Sequence, residues 1–463
     1  MKRFLSLLIL IGLLSSLLVS CGGREGSEPP AEAYLNGVHL SEYVIVYSED
    51  EPDYDKRAAE YIQAEILSKA RIKVDIVTDK SAVAAHEIVV GDTDREISER
   101  LDAECEGMQF SILADRGHVA LEGDYFIIAA AAYFFSESYI PAGDGSLTVP
   151  SEIKIHEPIV RDAKNYIVLI GDGMGVNQTR LFDYMDTDIE YSDGEDFFYG
   201  YLFPYIGYSR TQSLSGITDS AAGGTALSTG YKTYNEYIGR DKDGTDRQSL
   251  TELMSTLGKA TAVMSTEKQT GATPATFSAH AMDRDSSGDI SDSQLKTIQT
   301  YGTVIDCGFD YYTKKMVDAS LEKHITDTLG KIGDDEDGFF LMYEEAHIDK
   351  HCHNNDIEKV YQAMVRFNQA IGRVMEYTFY HPETFVLITA DHETGDILES
   401  DGALAFNSDD HSAQDVLVFA YGKGAELFDG VTVENIQIAH TIASLVGVYD
   451  FGDQSEFGYL GKE

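Results

Sequence analysis

The sequence predicts an α/β chain: a central, mostly parallel sheet with helices on both faces, preceded by a small α/β domain. Three observations predict it. Continuous apolar runs recur at Tyr166–Ile170, Thr261–Met264, Phe339–Tyr343, Thr384–Thr389 and Val416–Tyr421, with helical stretches between them. Such runs lack the polar alternation of a strand with one wet face, so they read as strands buried on both sides. Polar residues able to bind a metal or a phosphate lie at or close to the end of each run, where open α/β sheets gather their sites. Finally, 463 residues with 43% hydrophobic and 25% charged content suit one large globular domain plus a smaller one.

In chain order, Lys2 and Arg3 precede the apolar run Phe4–Val19, and Leu18-Val19-Ser20-Cys21 has the form of a bacterial lipobox. The run is short for a bilayer span, so residues 1–21 are expected to be a lipoprotein signal peptide with its lipobox. Cleavage would leave a lipid on Cys21, making the chain an exported, membrane-anchored lipoprotein of the periplasm or cell surface. Residues 22–33, G-G-R-E-G-S-E-P-P-A-E-A, read as a flexible tether.

Residues 34–157 are expected to form the small α/β accessory domain. Tyr43–Tyr47, Ile72–Val77 and Glu87–Val90 read as strands, and Asp55–Ala70 as a helix with Ala58, Ala59, Ile62 and Ile66 on one face. Met108–Ala114 and Val119–Leu121 flank a turn at Arg116-Gly117 and predict a hairpin, followed by an apolar helix over Tyr125–Tyr139. No ligand motif marks this domain, which reads as a packing or spacer unit, with a carbohydrate or surface-polymer module as the alternative. Pro158 and the charges of residues 156–164 mark a boundary, and residues 165–463 form the second, larger domain.

Cys105, Cys307 and Cys352 show no disulfide framework, and no pairing is assigned. The formal net charge of −44 argues against nucleic acid or an anionic membrane surface as a binding partner. A protein of this charge that handled phosphate would need strong local positive charge, which is a demand for metal ions.

The chemistry collects at the strand ends. Gly216–Gly230 predicts a helix beginning at about Thr218, with Ser220 in its first turn, small residues behind it and Gly230 as C-cap. Free N–H groups and the helix dipole there favour an anion. Asp172 lies in the tight turn G-D-G-M-G after the first apolar run. After the third comes E-E-A-H-I-D-K-H-C-H. Within it Asp349 and His353 share one helical face at a spacing suited to zinc, and Glu344 stands at the strand end. Asp391 and His392 are adjacent after the fourth run, and His411 precedes the fifth.

Together with Ala272-Thr273-Pro274, this ordered set resembles the alkaline phosphatase family over roughly Tyr166–Tyr421. The resemblance implies an alkaline phosphatase-like fold and Ser220 as nucleophile. It also implies that Arg284, reached by counting forward from A-T-P through His280, grips the phosphate as substrate-binding and catalytic residue. One zinc would be held by Asp349, His353 and His411, and a second by Asp172, Asp391, His392 and Ser220. Magnesium would lie among Asp172, Thr273 and Glu344. The reaction so implied is hydrolysis of small phosphate monoesters through a phosphoserine, with release of inorganic phosphate. A homodimer is one option for the oligomeric state, which the sequence leaves open.

Gly271 departs from the family, which usually places an aspartate or histidine two residues before the threonine of A-T-P, and this puts the magnesium site in question. Asp283–Gln294 has the spacing of a calcium loop, yet it ends in Gln294 where a bidentate glutamate is needed, and the phosphate-clamp reading of Arg284 is preferred. The sulfatase signature is absent around Ser220 and at every cysteine. A phosphodiesterase of the same superfamily is the alternative reading. A surface-anchored binding protein with an inactive phosphatase domain is the alternative of another class.

Overall fold

The structure, a computed structural model, describes residues 29–50, 53–101, 107–184, 197–307, 317–400 and 402–461. The signal peptide and lipobox, the first part of the tether and Cys105 lie outside the described residues. The described residues divide into two densely packed units: Arg161–Ile371 with Glu383–Glu463, and residues 29–160 with Gly372–Pro382.

The smaller unit is built on a six-stranded sheet. Its strands are β1 (Val44–Tyr47), β2 (Asp75–Thr78), β3 (Glu87–Val90), β4 (Phe110–Asp115), β5 (His118–Glu122) and β6 (Glu152–Ile155), in the order β2-β1-β3-β5-β4-β6. The first four in that order run parallel, and β4 and β6 pair antiparallel. Helices α1 (Asp53–Ala70) and α2 (Ile127–Tyr139) pack on each other and on this sheet. Ala58, Ala59, Ile62 and Ile66 are all buried, as their spacing predicts. The hairpin also forms as expected. Arg116 and Gly117 both take positive φ, 50° and 88°, and such a two-residue turn matches the right-handed twist of the strands it joins. The strand expected over Ile72–Val77 begins three residues later. Arg71 adopts φ 56° to end α1, and the chain spends the next residues leaving the helix, with Ile72 and Val74 buried but unpaired in the sheet.

In the larger unit an eight-stranded sheet is made of β7 (Asn165–Gly171), β8 (Tyr205–Arg210), β9 (Ala260–Ser265), β10 (Val304–Cys307), β11 (Phe339–Glu345), β12 (Thr384–Thr389), β13 (Val416–Tyr421) and β14 (Thr432–Glu434). The order is β10-β9-β11-β7-β12-β13-β8-β14, and only the pairings of β13 with β12 and with β8 are antiparallel. All five apolar runs are strands, and every residue of β7, β11, β12 and β13 is buried.

Helices cover both faces. Alternate residues Val168, Ile170, Phe340, Met342, Phe385 and Leu387 pack with Leu227, Ile438 and Ile442, which belong to helices α3 (Ser220–Thr229) and α8 (Asn435–Leu445). The opposite register, represented by Tyr343, stacks on Phe367 of the long helix α7 (Ile357–Tyr380), with ring centroids 6.3 Å apart. The strand register aligns the carboxyl ends: Ile170 lies opposite both Glu344 and Thr389, and Ser265 lies opposite Glu344. Strand β13 runs the other way. Its amino end therefore meets this edge, which is why His411 precedes its strand while the other site residues follow theirs.

Candidate active site

Ser220 is the first residue of α3. Asp219 caps it, accepting a hydrogen bond from Ala222 N at 2.9 Å, and Gly230 closes it at φ 71°. Only small residues fit behind the serine. A Cβ on Gly223 would stand 2.7 Å from the Asp391 carbonyl, and one on Gly224 would stand 2.7 Å from Thr276 Oγ1. The glycines thus let α3 approach both the turn after β12 and the short helix α4 (Ala272–Thr276) that carries Thr273.

At the shared strand edge, two groups of side chains have the composition and spacing of metal sites: Asp349, His353 and His411, and Asp172, Asp391 and His392. Asp349 and His353 belong to, or cap, helix α6 (His347–Cys352) after β11. In the first group His353 Nε2 lies 3.3 Å from Asp349 Oδ1 and 3.2 Å from His411 Nε2. In the second, His392 Nε2 faces Asp172 Oδ1 at 3.4 Å and Asp391 Oδ2 at 3.6 Å. Ser220 Oγ joins this second group, 3.2 Å from His392 Nε2.

The three imidazoles are oriented by their other nitrogens. His411 Nδ1 donates to the Thr218 carbonyl and His353 Nδ1 to the Asp409 carbonyl, both at 2.7 Å. Thr394 Oγ1 donates to Asp349 Oδ1 at 2.6 Å and sits 3.2 Å from His392 Nδ1, from which it accepts. Carbonyls only accept, and the one Thr394 hydroxyl proton goes to Asp349, so each neutral ring keeps its proton on Nδ1 and turns an Nε2 lone pair into the site. Lone pairs facing each other and a carboxylate at such distances repel unless a cation lies between them.

Carboxylate crowding makes the same demand. Burial, then the Asp391, Asp349 and Glu344 carboxylates, push the Asp172 carboxyl well up. Burial and Asp349 push Asp391 up to about 7. Burial and Glu267 push Glu344 well up. Asp172 Oδ1 and Glu344 Oε1 are buried and accept no hydrogen bond from any described residue. Buried like charges without donors favour protonation or a bound cation, and mixed imidazole and carboxylate groups are the donor chemistry of divalent transition metals. The residues fit such ions.

Thr273 donates to Asp391 Oδ2 at 3.3 Å, so the residues expected around magnesium adjoin the second group. Arg284 lies on the serine side, donating from Nη1 to Asp219 Oδ2 at 3.1 Å. The calcium-loop alternative does not form. Its second half is the start of helix α5 (Ser287–Tyr301), Ile290 is buried, and Gln294 Nε2 donates to the Gln269 carbonyl at 2.6 Å. Cys307 and Cys352 are free thiols.

The alkaline phosphatase family model matches residues 163–306 and 303–399. The chain belongs to the alkaline phosphatase family. It is 30% identical over 289 residues to alkaline phosphatase 3 of Bacillus subtilis (strain 168), a match covering 50% of this chain and 62% of that protein. The chain therefore spans under two thirds of that relative's length. Among solved structures, alkaline phosphatase from the Antarctic bacterium TAB5 aligns with a TM-score of 0.54 at 26% identity, over 62% of this chain and 99% of that one. A His-to-Glu variant of the TAB5 enzyme, with magnesium bound in its M3 site, aligns at 26% identity with a TM-score of 0.52 and the same coverage. The family's fold, a mixed sheet with helices on both sides, is the fold of the larger unit.

All ten residues proposed for the site in this family member lie at the one strand edge or on the elements beside it. Four others were missed from sequence. Asp219 ties the helix that begins at Ser220 to Arg284; its signal was the cap preference of aspartate just before the small-residue helix. Thr394 bridges the two groups, and its position two residues after His392 was the only hint. Glu267, on the loop after β9, and Lys350, on α6, pair at 2.8 Å, and no local pattern announces that.

Proposed function

We propose that this chain hydrolyses phosphate monoesters through a covalent phosphoserine on Ser220. The observation that carries the reading is the hydroxyl at the start of α3, 3.2 Å from His392 Nε2 and beside a composed metal-binding group. Asp349, His353 and His411 would hold one zinc; Asp172, Asp391, His392 and Ser220 would hold the other; Asp172, Thr273 and Glu344 would hold magnesium. When bound, such ions supply Lewis-acid charge that lowers the pKa of a hydroxyl and offsets the charge developing on oxygen.

The chain's own residues do the rest. Ser220 Oγ attacks phosphorus, the bond to the leaving alkoxide breaks, and the alcohol departs with a proton. The free N–H groups of the first turn of α3 face the incoming anion. Arg284 offers a planar fork that matches two phosphate oxygens, and Asp219 holds that fork in place. Water then attacks the phosphoserine, inorganic phosphate leaves and the Ser220 hydroxyl is restored. The N-terminal reading belongs to the same proposal: a lipid on Cys21 would hold the catalytic unit at an exported membrane surface, where it meets soluble phosphate esters.

The test is metal analysis of the purified chain, paired with phosphate release from p-nitrophenyl phosphate and from its bis-ester before and after chelation. About two zinc ions per chain, with monoester hydrolysis lost on chelation and restored by zinc, is the expected result. Faster hydrolysis of the bis-ester would overturn the monoester reading, and an absence of bound metal would overturn the enzymatic one.

A further inference from the structure

At Gly271 the chain lacks a side chain, yet the space is not empty. A Cβ built on Gly271 would lie 1.7 Å from Glu267 Oε1 and 2.0 Å from Glu267 Cδ, so the Glu267 carboxyl occupies the volume that a side chain at 271 would enter. Glu267 is held there from two sides. Lys350 Nζ donates to its Oε2 at 2.8 Å, and its own backbone N–H donates to Ser265 Oγ at 3.0 Å. The Ser265 hydroxyl in turn donates to Glu344 Oε2 in a very short hydrogen bond. One serine thus joins the backbone of Glu267 to the carboxylate of Glu344, whose other oxygen is buried and accepts no hydrogen bond from any described residue.

We propose that Glu267 supplies the carboxylate that position 271 does not, completing an all-oxygen third cation site with Asp172, Thr273 and Glu344. Lys350 acts as the residue that positions it. This rests on the metallohydrolase reading of the same edge. The chemistry favours a hard divalent ion such as magnesium: every donor is oxygen, and three carboxylates face the single ammonium of Lys350. A larger residue at 271 would force the Glu267 side chain out of this position. The carboxylate would thus come from the loop after β9 and not from the residue before A-T-P.

The experiment is magnesium titration by calorimetry on the zinc-loaded chain, with zinc and magnesium contents measured on the same samples. Glu267→Gln keeps the shape and removes the charge, and it is expected to weaken magnesium binding at least about 10- to 100-fold, the loss common even for residues that only support a metal's ligands. The zinc content should stay that of the parent chain. The double variant Glu267→Ala/Gly271→Asp, which returns a carboxylate to position 271, is expected to recover magnesium binding, whereas Gly271→Asp alone should lose it through collision with Glu267. Unchanged magnesium affinity in Glu267→Gln, with zinc retained, would overturn the proposal and leave Glu267 as a partner of Lys350 only. A parent chain that takes up zinc but no magnesium would overturn it as well, while a parent chain without zinc would remove the metallohydrolase reading on which it rests.

Discussion

Arg284 Nη1 donates to Asp219 Oδ2 at 3.1 Å, and the same Asp219 side chain caps the helix that begins at Ser220. One carboxylate therefore fixes both the helix of the proposed nucleophile and the cation proposed to grip the substrate. It also accepts from Glu236 N at 2.9 Å. Asp219→Ala is expected to cost about 1–2 kcal/mol of stability through the lost cap. It should also weaken inhibition by inorganic phosphate, because Arg284 loses its anchor. Urea unfolding and phosphate competition check the two effects separately, and unaltered phosphate inhibition would mean that Arg284 does not depend on Asp219.

Arg284→Ala itself should raise KM and slow turnover without abolishing it, since the N-terminus of α3 and any bound cations still attract the anion. Ser220→Ala should remove nearly all activity. Single-turnover assays with p-nitrophenyl phosphate distinguish the two, and a Ser220→Ala chain that keeps most of its rate would exclude the covalent route.

Gly173 adopts φ 73°, and a Cβ there would stand 2.8 Å from Thr394 Oγ1 and 2.9 Å from Asp349 Cα. Its N–H also donates to Asp391 Oδ1 at 3.3 Å. Gly173→Ala is therefore expected to displace members of both metal-binding groups and to strain the backbone by about 1 kcal/mol or more. Zinc content after dialysis is the measurement, and retention equal to the parent chain would contradict the packing argument.

Chelation should lower the melting temperature as well as the activity. Asp172, Asp391, Asp349 and Glu344 repel one another in a buried space, and a ligand that binds only the folded state stabilises it by mass action. Differential scanning calorimetry with and without chelator, followed by zinc addition, should show a reversible drop of several degrees.

His280 offers a pH signature away from the metal-binding groups. Burial works against its charge, but Glu252 Oε1 at 3.2 Å and the Gly239 carbonyl outweigh burial and raise its pKa above 6.5. A raised folded pKa means stabilisation fully present below the unfolded value and lost as pH rises through the folded one. The stability gap between the parent and His280→Gln, measured by urea unfolding, should be widest near about pH 6 and should shrink toward about pH 9. A gap that grows with pH would reverse the assignment.

Part of this arrangement could be read from residues close together in the chain. The α3 helix follows from Asp219, the small residues after Ser220 and Gly230, because capping and propensity act within one or two turns. The pairing of Asp349 with His353 follows from helical spacing. The reach of the strand after α1 was misjudged because nothing local shows that Arg71 takes positive φ and that the chain needs several residues to leave the helix.

Periodicity along the chain determined the five apolar strands and their succession, and residue chemistry together with the family resemblance singled out the candidate metal-binding side chains. Only the tertiary structure decided how they meet. Ser220 and His392 are 172 residues apart, and their contact depends on the register of β7, β11 and β12 and on glycines that let α3 approach. The reversed direction of β13, the Nδ1–H partners of the three histidines and the seating of Glu267 over Gly271 are likewise contacts between distant segments. Close packing sets such contacts to within a few tenths of an ångström, and no pattern along the chain encodes distances of that kind.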